Sequence, residues 1–511
     1  MTTLAPAARL LDALHARGIR YCHWKSNEHL LAGLAGDTDL DMLFDRQQYA
    51  DVTVVLAECG FRRFDGAPRA RYPAIEDHIA WDCETGRLVH CHTHFQLVAG
   101  EPHLKGYRLP WEAQCLATRR WDETAGAYVA DPNLELLMLL VRYATKLRTR
   151  DRLLAVAGRR YPSRSFEREY LWLLDRINEA YAVDLCRSLL GNGAVAAYRD
   201  LLAPPVTPAR LLRFRRDAGE ALARFRSHGV IAGRLLRWGR ELFWLAGGVN
   251  RRYLGLRSTR PLRRTSPSGG LLIAVVGCDG SGKSTLTQAL ASTLGRKLDV
   301  CRVYFGSGDG ATSLLRWPLR LARGAAVRAG LLRAHGARSA ERSAERGGNG
   351  ERSNGRRARG MVLGAGRIVW ALVLSFEKRE RLARAWRARD RGMIVIADRY
   401  PQVQLAGFND GPLLDDLSRS RNGLLRRLAR WEAAPYRRAD DQPPDLLVRL
   451  DVSVDVAERR KPETGRSEIE RRVTAVRSLR YRAGAAVVDV DADRPAAEVF
   501  RQVRTAIWHN L

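Results

Sequence analysis

The sequence predicts an α/β protein made of two unlike halves. The C-terminal half reads as a parallel sheet with helices, and the N-terminal half as an α+β unit continued by a helical segment. Three observations carry this. First, Gly277-Cys278-Asp279-Gly280-Ser281-Gly282-Lys283-Ser284-Thr285 is a complete G-x-x-x-x-G-K-[ST] loop. It lies between the apolar run Leu271–Val276 and a helical stretch from Leu286. Second, apolar strands alternate with helical patterns from there onward, the order that builds a parallel sheet. Third, Gly36-Asp37-Thr38-Asp39-Leu40-Asp41 is a compact acidic cluster among short strand-like segments.

A chain of 511 residues exceeds one ordinary core. Helix Ala5 to Arg17 opens it, with strands at Ile19 to His23, after Asp37, and over Leu88 to Val98, where polar and apolar residues alternate. This gives a first domain over residues 1–130. Leu134–Leu140 starts a helical series, read as a helical domain over 131–249. Arg, Ser, Pro and Gly dominate 250–270, which suits a linker. The domain of 271–511 follows. It is interrupted near 334–360 by a charged Arg-Ser-Ala-Glu-Arg repeat and a glycine-rich run, the composition of a disordered insert.

The net charge of +30 invites a polyanion partner. Only seven of the 86 basic residues are Lys, however, which points to an Arg-favouring codon bias, and no zinc finger or aromatic RNA-binding stretch is present. Specific nucleic-acid binding is not expected. The eight cysteines form no C-x-x-C pair. No signal-peptide pattern opens the chain and no apolar run reaches membrane-span length, so the expectation is a cytoplasmic protein. Leu235 to Leu256, with Trp238, Phe243 and Trp244, reads either as a surface helix for a membrane or as a buried helix before the linker.

The glycine loop carries the clearest chemistry. Its glycines let backbone N–H groups wrap a phosphate chain at a helix N-terminus. Lys283 would meet the β/γ-phosphates of ATP, and the Ser284 hydroxyl would ligate Mg²⁺. Met393–Ala397 is a second strand, ending in Asp398-Arg399-Tyr400. At the carboxyl end of a parallel strand Asp398 would lie beside the loop and either help hold Mg²⁺ or orient the nucleophile, and Arg399 would grip an acceptor phosphate. Pro444-Asp445 opens a third strand through Leu450-Asp451-Val452. The basic run Arg459-Arg460-Lys461-Pro462-Glu463-Thr464-Gly465-Arg466 then suits a lid that brings positive charge to phosphoryl transfer.

In this order the motifs resemble the thymidylate kinase family over about 200 residues, with a three-layer P-loop fold. The matching residues are Asp279–Thr285, Asp398-Arg399-Tyr400, Pro444-Asp445, and Leu450-Asp451-Val452. The resemblance implies that Asp279 contacts an acceptor sugar, Arg399 its phosphate, and Arg459, Arg460 or Arg466 the transferring group. The chain departs from the family where an Arg-Glu-Pro motif belongs. Phe305-Gly306-Ser307-Gly308-Asp309-Gly310 stands there, and Lys378 or Arg379 replaces the usual acceptor-binding Arg.

In the N-terminal half, Asp39 and Asp41 lie two apart on a strand and so share a face, where they can hold Mg²⁺. With Lys25-Ser26 upstream they resemble the nucleotidyltransferase fold over about 130 residues. That fold has a Gly-rich turn where bulky Lys25 stands here, and a third carboxylate on a later strand. His90, His92 and His94 occupy that strand, and read either as satisfied histidines of a half-exposed strand or as ligands that suit a transition metal.

The expected activity is therefore an ATP- and Mg²⁺-dependent phosphotransfer to a small-molecule acceptor, such as a nucleoside monophosphate like dTMP. A bifunctional sugar or surface-polysaccharide kinase and nucleotidyltransferase is one alternative, and a nucleotide-gated regulator without catalysis another. A homodimer is left open.

Overall fold

The computed structural model of the protein describes residues 2–67, 70–148, 162–249, 260–306, 353–406, 411–480 and 485–511, with 353–363 by backbone alone. The chain is α/β and divides into two units, Met1–Ser268 and Gly269–Leu511.

The strands of the first unit are β1 (Tyr21–His23), β2 (Leu40–Phe44), β3 (Arg62–Phe64), β4 (Ile75–Asp82), β5 (Arg87–His94), β6 (Leu97–Ala99), β7 (Tyr107–Leu109), β8 (Arg120–Asp122) and β9 (Ala127–Val129). Seven of them form one mixed sheet in the order β3-β4-β5-β2-β1-β9-β8. β2 runs parallel to β5, and β4 antiparallel to β5.

Strand periodicity sorts the two faces. Tyr21, Leu40, Met42, Phe44, Val89 and Cys91 pack into one core with helices Ala5–Ala16 and Tyr49–Glu58. Cys22, Trp24 and Leu43 point the other way, into a core shared with the helices that follow. The first of these, Pro132–Lys146, starts on an Asp131 cap with Pro132 in its first turn, and Leu134 and Leu136–Leu140 are all buried. A helix apolar on nearly every side needs cover all round, and the sheet supplies part of it.

Residues 131–249 are thus not a domain with a core of their own. They cover the second face of the N-terminal sheet. The expected linker is corrected in part as well. Residues 250–259 lie outside the described residues, but 260–268 belong to the first unit, where Thr265 pairs with Asp65 and Arg264 reaches Asp77.

In the second unit, β10 (Leu271–Gly277), β11 (Val300–Tyr304), β12 (Ile394–Asp398), β13 (Leu446–Asp451) and β14 (Ala486–Asp491) form an all-parallel sheet in the order β11-β12-β10-β13-β14. β10 is buried along its whole length, as its unbroken apolar run requires. Helices Lys283–Leu294 and Ser353–Asp390 pack on β10, β11 and β12.

Most of the expected insert (334–352) lies outside the described residues. From Ser353 onward the backbone is helical. A polar segment joined to a packed helix extends it at one hydrogen bond per residue, without a new nucleus.

Candidate functional site

In the second unit, sheet order places the carboxyl ends of β10 and β12 side by side, with Val275 opposite Asp398. The glycine loop leaves β10 at Gly277. A side chain there would strike Ser281 Oγ, and Gly280 and Gly282 hold φ near +86°, where glycine alone is unstrained. Lys283 begins the helix and is buried, its Nζ donating to Cys278 O at 2.5 Å. Burial, then the Arg399 guanidinium, pulls its ammonium down to about 8.

Ser284 Oγ donates to Asp398 Oδ2 at 2.9 Å, while the buried Asp398 Oδ1 has no hydrogen-bond partner among the described residues. A hydroxyl beside a carboxylate with an unused buried oxygen offers hard oxygen donors of the kind a divalent cation takes. Arg399 sits at φ +70°, uncommon for a side-chain-bearing residue. Its N–H is held by Val275 O, and the turn is fixed by buried Tyr400, whose hydroxyl donates to Gln442 O at 2.7 Å.

Arg399 donates to Asp279 Oδ1 at 3.0 Å, and Arg472 reaches Asp279 Oδ2. Asp279 lies between the two guanidiniums. Burial raises its pKa, but Arg399, Lys283 and Arg472 together hold it below the usual carboxylate value.

Of the three expected lid arginines, Arg460 touches the loop, donating to Gly280 O at 3.4 Å. Arg466 is exposed and ion-paired with Asp455 and Glu458. Arg459 is exposed and makes no described contact with the loop. Arg472, which the sequence reading missed, lies on the next helix, Arg466–Ser478. Its only local signal was being one arginine among many. Lys378 is buried under the Tyr436 ring, 4.9 Å from its centroid. Of Phe305–Gly310, residues 307–310 lie outside the described residues.

In the first unit the acidic cluster faces the helix-covered side of the sheet. Asp41, His92 and Asp77 are direct neighbours across β2, β5 and β4. His90 stands between Asp39 (2.8 Å) and Asp77 (2.9 Å). His92 stands between Asp41 (3.2 Å) and Asp77 (3.0 Å), and His94 Nε2 is 3.2 Å from Asp41. Lys25 Nζ is 2.8 Å from Asp41, and Arg264 Nε 2.8 Å from Asp77. Two subsets, Asp39-His90-His92 and Asp41-His92-His94, each bring three ligand atoms within 4.8 Å of one another. Burial opposes charge on His92, but its hydrogen bonds to Asp41 and Asp77 outweigh this and lift it to about 9. His94 is pushed down to about 4, mainly by burial.

Asp77 was not found from sequence. It stands on β4 in Ile75–Asp82, which gives no motif, and only the antiparallel pairing with β5 brings it to the cluster. The turn before β2 also differs from expectation. Ser26, not Lys25, takes the left-handed conformation, at φ 59°. Such a residue costs about 1–2 kcal/mol. Glu169 offsets that by accepting from both Ser26 N and Ser26 Oγ, and Glu135 does the same for Asn27 N and Nδ2. The helices beyond residue 131 therefore brace this turn.

No family model matches the chain. Over 239 residues it is 29% identical to the uncharacterized ATP-binding protein YghR of Escherichia coli (strain K12), covering 46% of this chain and 86% of that protein. Over 269 residues it is 28% identical to the uncharacterized ATP-binding protein YghS of the same strain, covering 51% of this chain and 98% of that protein. The chain is thus similar along about half its length to bacterial proteins described as ATP-binding.

Proposed function

We propose that the second unit binds ATP and transfers its terminal phosphoryl group to a small-molecule acceptor, in the manner of the thymidylate kinase family. The observation that carries this is the meeting of Lys283, Ser284 and Asp398 where β10 and β12 end. The description of YghR and YghS as ATP-binding supports the nucleotide.

In this reading the loop backbone and Lys283 hold the β/γ-phosphates, and Lys283 exchanges Cys278 O for phosphate oxygen. Ser284 and Asp398 would hold Mg²⁺, which when bound neutralises charge on the transferring group. Arg399 and Arg472, now on Asp279, sit where an acceptor oxyanion would be gripped, and Arg460 lies over the loop to meet charge in transfer. An acceptor oxygen, either a phosphate oxyanion of a nucleoside monophosphate or a sugar hydroxyl that gives up its proton to solvent, attacks the γ-phosphorus; the bond from that phosphorus to the oxygen bridging it to the β-phosphate breaks, and ADP leaves.

The acceptor is a nucleoside monophosphate in the family reading and a sugar in the surface-polysaccharide reading. ADP release from Mg²⁺–ATP against a panel of nucleoside monophosphates and sugars decides between them. Release with none of them counts for the nucleotide-gated regulator. Arg399→Ala should raise the acceptor KM about tenfold or more while leaving ATP affinity within about twofold, because a guanidinium–phosphate pair contributes about 1.5–3 kcal/mol. Loss of ATP affinity with an unchanged acceptor KM would place Arg399 on the wrong side of the reaction.

A second reading covers the first unit, and Asp77 favours it. In this reading Asp77 is the third carboxylate of a metal-dependent nucleotidyltransferase, linked to Asp39 through His90 and to Asp41 through His92, with Lys25 and Arg264 adjoining as cations for phosphate. In full-length Lys283→Ala protein, where the second unit's loop is disabled, labelled NTP with Mg²⁺ or Mn²⁺ should still bind. Adding Asp39→Asn with Asp41→Asn should weaken that binding by about tenfold or more. No binding before those two changes would leave the first unit as a fold without the reaction.

A further inference from the structure

The segment Leu235 to Leu256, expected either as a buried helix or as one lying on a membrane, falls largely in helix Val230–Val249, with 250–256 outside the described residues. The structure leaves its apolar side open. Ile231 is 75% exposed, Leu235 60%, Trp238 53%, Leu242 65% and Leu245 48%. Spacings of four and three residues put these side chains on one stripe. The opposite side is the one that docks. Gly233 is buried, Arg237 pairs with Glu101, Arg240 donates to His103 O, and Trp244 stacks on the His103 ring. The helix therefore has a settled inner face and a free outer one.

We propose that this outer face docks on an anionic phospholipid surface. Two features of the molecule select that occupant. The helix has three arginines and one acidic residue, Glu241, which faces inward to Arg148 at 3.7 Å, so no negative charge flanks the stripe. At the start of the same helix a cavity of about 120 Å³ is lined by Arg215, Arg226, Arg234 and Arg237, against a single carboxylate, Glu101. Glu101 is already shared between Arg148 and Arg237. An apolar stripe on a helix whose first turns also border a basic hollow, through Arg234, suits a layer that offers acyl chains and phosphate headgroups.

A second copy of the chain fits less well. It would bring the same exposed Arg234 and no exposed acidic partner from the helix, and a coiled-coil seam needs complementary charges beside it. The net charge of +30 adds to that repulsion and to attraction for an anionic layer. No helix among the described residues is long and apolar enough to cross a membrane, so the contact is peripheral.

The test is co-sedimentation of the full-length protein with vesicles of phosphatidylcholine alone or mixed with phosphatidylglycerol, at about 0.1 M salt. The protein should partition onto the mixed vesicles and not onto phosphatidylcholine alone. Ile231→Ser with Leu235→Ser and Leu242→Ser should lower that partition by at least about tenfold, since three exposed apolar side chains lose their insertion. These surface changes should leave the melting temperature unaltered. Arg234→Glu, which keeps the stripe, should reduce the preference for the anionic lipid. Three results would each overturn the proposal. One is equal binding by the triple variant, which would mean diffuse basic charge alone. Another is no binding to the mixed vesicles. The third is a dimer, seen by sedimentation velocity, that the triple variant abolishes while vesicles remain unbound.

Discussion

Lys283→Ala is expected to lower ATP-dependent turnover by on the order of 100-fold or more, with no loss of thermal stability. The first effect follows from removing the loop's own lysine ammonium, which in phosphoryl transfer meets charge growing on the β- and γ-oxygens. The second follows from burial. Lys283 is 6% exposed, and its ammonium is drawn down to about 8 from an ordinary 10.5. A folded-state pKa below the unfolded one means that the unfolded chain binds more protons between those values, so folding gains stability as pH rises through that window. Below about pH 8 the charged buried lysine carries its full desolvation cost; above about 10.5 the cost is gone. The variant, free of this cost, should melt no lower than the parent at pH 7, and any advantage should shrink toward pH 10. Near-normal ADP release would sink the phosphotransferase reading. A melt several degrees lower would instead show that Lys283 holds the loop together through Cys278 O.

The second large effect is expected at Asp398. Asp398→Asn keeps the shape of the strand end and the acceptor for Ser284 Oγ, but removes the negative charge from an oxygen that has no hydrogen-bond partner among the described residues. If that oxygen serves Mg²⁺, turnover at saturating ATP should fall about 100-fold or more, since a bound ion contributes several kcal/mol of charge stabilisation. ATP binding measured without Mg²⁺ should change by less than about threefold, because that carboxylate would not itself meet the phosphates. Calorimetry with and without Mg²⁺ separates the two. A variant with the parent's turnover and the parent's Mg²⁺ dependence would remove Asp398 from the metal site.

The sequence by itself determined what depends on a short stretch of chain. The glycine loop is contiguous, its glycines sit where φ is positive or side chains cannot fit, and the apolar run before it could only be a covered strand. The Asp39/Asp41 pair and the His90/His92/His94 alternation were legible for the same reason, since a period of two assigns a strand face without any partner. Tertiary structure decided which distant residues complete those sites. Asp77 meets His90 and His92 only because β4 pairs antiparallel with β5 in one register. Arg472 meets Asp279 across 193 residues of sequence, and nothing local sets it apart from the many other arginines. Ser26 takes the left-handed turn because Glu169, 143 residues away, accepts both its donors. The same long-range logic turned 131–249 from a separate domain into the cover of the N-terminal sheet, since a helix apolar all round is buried somewhere, but only packing names the surface that buries it.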